Sequence, residues 1–116
     1  MKESIVKDKS KDYALRIIKL YKYLTQATNN KEYILSKQVL RSGTSIGANV
    51  KEALRGQSRP DFRAKMSIAL KEASETEYWL ELLHESEYID ENSFISIIND
   101  NRELIKILTK IVKNTD

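Results

Sequence analysis

Residues Gln38 to Gly56 read QVLRSGTSIGANVKEALRG. Wound as a helix, at about 100° per residue, this stretch divides into three faces. Val39, Gly43, Ile46, Val50 and Ala53 form an apolar seam. Beside it runs a stripe of small or polar residues: Gln38, Ser42, Ser45, Asn49, Glu52 and Gly56. Lys37, Arg41, Lys51 and Arg55 lie further round, where water can reach them. The middle stripe has no bulky apolar side chain, so a neighbouring backbone can come close. If it is covered, its polar groups need hydrogen-bond partners.

The surrounding composition supports long helices. The 116 residues contain three glycines and one proline, too few breakers for many short strands. That length suits one domain with one core, residues 1–116. Apolar residues make up 41% and charged residues 32%, as expected of a folded, soluble chain.

Four amphipathic segments follow in order. Residues 1–9 alternate charges without a period and read as a flexible arm. The first helix is expected from Ser10 to Thr28, with Tyr13, Ala14, Ile17, Leu20, Tyr21 and Leu24 on one face. Asn29 or Asn30 can cap the next helix, and Glu32 sits where a capping box from Asn29 would place it. The second helix is expected from Lys31 to Gln57. Its interior glycines, Gly43 and Gly47, each cost about 1 kcal/mol relative to alanine, and close helix–helix approach would offset that cost. Gly56 marks its end. Ser58, Pro60 and Asp61 then make a helix-start signature.

The third helix is expected from Arg59 to Glu87. Phe62, Ala69, Ala73, Thr76, Leu80 and Leu83 form its seam. A second band, Lys65, Ile68, Glu72, Glu75, Trp79 and Leu82, lies alongside. A single four-helix bundle buries only the first band, so the second is a candidate oligomer surface. After a turn at Tyr88–Asn92, capped by Asp90 or Asn92, the fourth helix is expected from Glu91 to Lys113. Phe94, Ile97, Ile98, Leu104, Ile105, Leu108 and Val112 form its seam, with Asn101 in the middle. The fold class is therefore all-α, an up-down-up-down antiparallel four-helix bundle. Val39, Ile46, Val50, Phe62, Ala69, Leu80, Ile98 and Ile105 are expected to build the core.

Most chemistries lack the residues they need. There is no cysteine, hence no thiolate nucleophile, thiolate metal site or disulfide framework. The lone His84 has no patterned carboxylate partners. Glu72 and Glu75 are half of a carboxylate site, but the Glu-x-x-His motifs of di-iron bundles are missing. Ser42 and Ser45 have no patterned general base. SGTSIG lacks the lysine and spacing of a phosphate-binding loop. No cofactor, metal or small-molecule substrate is expected. The charged start, MKESIVKDKSKD, does not read as a secretory leader, and no apolar run is long enough to span a membrane. A cytoplasmic protein is expected.

Two constellations remain. Ser42, Ser45, Asn49 and Glu52 on the second helix face Lys65, Glu72, Glu75 and Trp79 on the third. The antiparallel pairing brings Glu52 towards Lys65, and Ser45 or Asn49 towards Glu72 or Glu75. Such a network can fix helix register or a subunit contact. The second constellation is basic. The net charge is +3 and the pI about 9.0. Arg16, Lys19, Lys22, Arg41, Lys51 and Arg55 concentrate positive charge in the first half of the chain. That pattern fits ordinary helix solvation or an electrostatic footprint for an RNA or DNA backbone.

RSGTSIGANVKEA (Arg41–Ala53), SRPDF (Ser58–Phe62) and KMSIALKEASETEYWLELL (Lys65–Leu83) resemble a bacterial four-helix-bundle family. Some of its members are encoded by intervening sequences within 23S ribosomal RNA genes. The resemblance implies a small all-α bundle without known enzymatic activity. The family in turn looks related to the accessory protein of diversity-generating retroelements, a pentameric barrel that works with a reverse transcriptase and nucleic acid. That likeness implies a ring-like homo-oligomer, a pentamer, with subunit contacts on the second and third helices. The two functional readings are a nucleic-acid-binding accessory protein and a structural or protein-partner module.

Overall fold

Heptad-like spacing in the first helix begins earlier than Tyr13. Val6, Ser10, Tyr13 and Ile17 recur at intervals of four, three and four residues, and all four are buried. A computed structural model of the chain describes residues 2–27 and 31–115, with side chains from residue 5. In it the first helix, α1, spans Lys2–Lys22. The stretch expected as a flexible arm, 1–9, is helical from Lys2 onward. Its single inward apolar residue, Val6, completes the stripe and is hidden in the sequence by five charged neighbours among residues 2–9. A wide π-turn, Tyr23–Ala27, follows. It turns both Leu24 and Thr25 inward, and the Thr25 hydroxyl donates to the Tyr21 carbonyl at 2.8 Å. The expected end at Thr28 and the caps Asn29 and Asn30 lie outside the described residues.

The second helix, α2, spans Leu35–Leu54, shorter than the expected 31–57. Its start is held by Glu32 from outside the helix. The Glu32 carboxylate accepts the N–H groups of Ile34, Leu35 and Ser36 at 3.1, 3.0 and 2.7 Å. A carboxylate suits these unpaired donors and the positive end of the helix dipole. The helix ends before Gly56, which has no positive φ. The glycines inside α2 admit α1. A Cβ on Gly43 would lie 2.8 Å from Ile17 Cγ1, and one on Gly47 would lie 3.3 Å from the Ser10 carbonyl oxygen.

The third helix, α3, spans Arg59–Glu85. The Ser58 hydroxyl accepts the Asp61 N–H at 3.1 Å, and Pro60 sits in the first turn. Glu87, beyond its last turn, adopts φ 68°. The Tyr88 N–H then reaches back to the Leu83 carbonyl at 2.9 Å. The fourth helix, α4, spans Glu91–Lys113, and the Asp90 carboxylate accepts the Ser93 N–H at 2.8 Å. That hydrogen bond holds the Asp90 carboxyl below its ordinary range.

Each helix packs on the next, and α4 returns to α1. The result is the antiparallel four-helix bundle, 48 Å long and about 20 Å across. No strand occurs among the described residues. Val39, Ile46, Val50, Ala69, Leu80 and Ile98 are in the core as expected. Phe62 and Ile105 are not fully buried. They lie on the core's margin and pack against it.

Candidate functional site

The polar stripe of α2 meets α3 in three ways. Deepest is a hydroxyl pair. Thr76 Oγ1 lies 2.8 Å from Ser42 Oγ, with both residues fully buried. Each hydroxyl also reaches a carbonyl of its own helix, Gln38 for Ser42 and Glu72 for Thr76. Small side chains here let the two helices come close without leaving an unsatisfied group.

Further out, Arg41 spans two carboxylates. Its guanidinium donates to Glu72 at 2.9 Å and also to Glu75. Glu75 in turn accepts the Trp79 indole N–H at 3.1 Å. Glu72 and Glu75 are one helical turn apart, which suits the forked guanidinium. Glu72 lies on the α2 side, with 13% of its side chain exposed, against 31% for Glu75. The hydrogen bond to Glu72 raises the Arg41 pKa, and the contact with Glu75 adds to it. The Trp79 N–H, followed by Arg41, lowers that of Glu75. The third tie is Lys65 to Glu52 at 3.0 Å, as the sequence predicts.

Two expected members point elsewhere. Ser45 donates to the Arg41 carbonyl at 2.6 Å, and Asn49 donates to the Ser45 carbonyl at 2.8 Å. Both bond back along α2, and no hydrogen bond joins either to Glu72 or Glu75 among the described residues. Residues four apart on one helix are nearer than the next helix can come. Arg41 takes the role assigned to them. The sequence held a signal for it: carboxylates three apart, opposite an arginine.

Outside this network α3 carries apolar surface. Ile68 and Tyr78 are 43% and 54% exposed. Tyr78 packs its ring against Trp79 at 5.2 Å, and Trp79 and Leu82 are partly buried.

The basic constellation divides. Arg41 is held in the network above. Arg16 is held by α4, donating to Asp100 and to the Ser96 hydroxyl, both at 2.6 Å. Lys19, Lys22, Lys51 and Arg55 are exposed and pair with no carboxylate among the described residues. They lie on α1 and α2 and just past the end of α2.

His84 closes the α3–α4 corner. Its ring stacks on Phe94 with centroids 4.0 Å apart, and Nε2 lies 2.7 Å from Glu91 Oε1. Among the described residues, no group of three or more acidic or histidine side chains is placed to hold a metal ion. No described helix is long and apolar enough to cross a membrane.

Comparison with known proteins agrees with this architecture. A crystal structure of a protein of unknown function from the S23 ribosomal protein family, from Bacteroides thetaiotaomicron VPI-5482, superimposes with a TM-score of 0.94. The two share 56% identity over 98% of this chain and 100% of the other. A search of curated proteins finds no match. Residues 2–110 match the family described as 23S rRNA-intervening sequence protein. With both central segments and nearly the whole bundle inside that match, this chain belongs to the 23S rRNA-intervening sequence protein family.

Proposed function

We propose that the protein is a non-catalytic bundle that assembles with copies of itself into a ring. The observation that carries this reading is the outer stripe of α3. Tyr78 is exposed and packs its ring on the partly covered Trp79, and Ile68 is exposed about three turns earlier on the same helix. Arg41, Glu75 and the indole N–H hold that tryptophan in one orientation. An ordered, partly exposed aromatic pair is the composition of an interface anchor. The pentamer is the subunit number implied by the resemblance to the retroelement accessory protein.

Light scattering at micromolar protein tests the assembly. A pentamer is expected, and a clean 13.5 kDa monomer would overturn the reading. Trp79→Ala is expected to weaken assembly more than it lowers the unfolding midpoint. Equal loss of both would return Trp79 to the core.

The unpaired cations on α1 and α2 favour a second element of function, contact with an RNA or DNA backbone. Lys19, Lys22, Lys51 and Arg55 are available to phosphates, whereas Arg16 and Arg41 are already engaged. Each phosphate neutralised steepens the salt dependence of binding, by roughly 0.7–0.9 in log–log slope. A gel shift of structured RNA that weakens with salt is expected. No shift at low salt and micromolar protein would remove this element. Recovery of a specific protein and no RNA in a pull-down would favour the partner-module reading.

A further inference from the structure

Of the four lines along which neighbouring helices meet, α1–α4 is the least packed. Two clefts open on it. One, about 310 Å³, lies between Leu20 and Tyr23 of the α1 side and Ser93 and Ile97 of α4. The other, about 280 Å³, reaches down to Tyr13 and Leu104.

The ties across this line are mostly at the surface. Arg16 reaches Asp100, and Lys9 reaches Glu103 at 2.9 Å. These four side chains are 36–52% exposed, so water and salt screen them. Beneath them lies one buried polar contact, in which Asn101 Nδ2 donates to the Tyr13 hydroxyl at 2.8 Å. Asn101 is fully buried, and its Oδ1 has no partner. An unsatisfied buried acceptor penalises the closed arrangement, and water would satisfy it once the line parts. Burial also pushes the Tyr13 phenol pKa up, so the pair stays neutral. The two lines made by α2 differ. Gly43 against Ile17 brings α1 and α2 close, and Ser42–Thr76 joins α2 to α3 with both hydroxyls satisfied.

We propose that the α1–α4 seam opens reversibly within the folded protein. The α1–α2 pair parts from the α3–α4 pair about the α2–α3 contact, and each pair stays intact. Opening admits water to Asn101 and uncovers the faces around Tyr13 and Leu104. Salt favours it by screening the surface ties. None of this depends on the proposed ring.

The chain has no cysteine, so a single introduced thiol reports opening. Leu104→Cys places one on the seam and Ala69→Cys places one in the interior of α3. Under native conditions Leu104→Cys is expected to be labelled by a thiol reagent at least about tenfold faster than Ala69→Cys, by local opening. At about 1 M salt, where the Debye length is about 3 Å, the gap is expected to widen. Equal rates, both at the rate of global unfolding, would overturn the proposal. Leu104→Cys itself removes side-chain volume, so it is also read together with Tyr13→Phe and Asn101→Leu. Removing the unsatisfied amide is expected to slow its labelling severalfold. Unchanged labelling would equally overturn the proposal.

Discussion

The hydroxyl of Thr76 on α3 lies 2.8 Å from that of Ser42 on α2, and no water reaches either. The pair sets how closely the two helices approach, and the Arg41 fork lies outside it on the same pair of helices. Thr76→Val keeps the shape and removes one neutral hydrogen bond. Ser42 still bonds the Gln38 carbonyl. The expected loss is about 1 kcal/mol, read from chemical denaturation. Ser42→Leu forces the helices apart and is expected to cost about 1–3 kcal/mol. A smaller loss for Ser42→Leu than for Thr76→Val would show that α2 and α3 are not closely fitted there.

The α1–α2 contact makes a similar demand at Gly43. A methyl group there would meet Ile17 at 2.8 Å. Gly43→Ala gains about 1 kcal/mol of helix propensity but overpacks the contact, at about 1–3 kcal/mol. A net loss is expected from the urea midpoint. Stabilisation would mean that α1 can shift without cost.

Glu75 makes the network sensitive to acid. The Trp79 N–H and Arg41 hold its carboxyl below the ordinary value of 4.5. A carboxyl depressed in the folded state stabilises the fold above its unfolded pKa, and that contribution fades as pH falls through the folded pKa. Both side chains are substantially exposed, so the effect on stability is small. Trp79 is the only tryptophan and its indole touches Glu75, so its fluorescence reports the titration. Arg41→Gln is expected to move the fluorescence midpoint to higher pH. An unmoved midpoint would show that Arg41 does not act on Glu75.

Glu87 occupies left-handed backbone at φ 68° after α3. A residue with a Cβ pays about 1–2 kcal/mol there, and glycine does not. Glu87→Gly is expected to raise stability by about 1 kcal/mol, measured as a higher melting temperature. A lower melting temperature would show that the Glu87 side chain contributes more than its backbone costs.

The existence of the helices and the starts of α3 and α4 were legible because their causes are local. Ser58 and Asp90 cap helices from positions adjacent in sequence, and the seam of α4 recurs at three- and four-residue intervals. Val6 shows where local reading ran short. One apolar residue among charges has no period of its own, and only the packed stripe explains its burial.

Periodicity and capping act within a turn or two, so residue order alone was enough to specify an all-α chain of four amphipathic helices. Residue order also showed that α2 must tolerate close neighbours, since its seam and stripe hold glycine and serine. Which side chains meet became visible only in the packed bundle. Arg41 turned to Glu72 and Glu75, Arg16 to α4, and Ser45 and Asn49 back to their own backbone. Those pairings depend on the rotation and axial offset of each helix against its neighbour. That offset is set by contacts such as Ile17 against Gly43, between residues far apart in the chain.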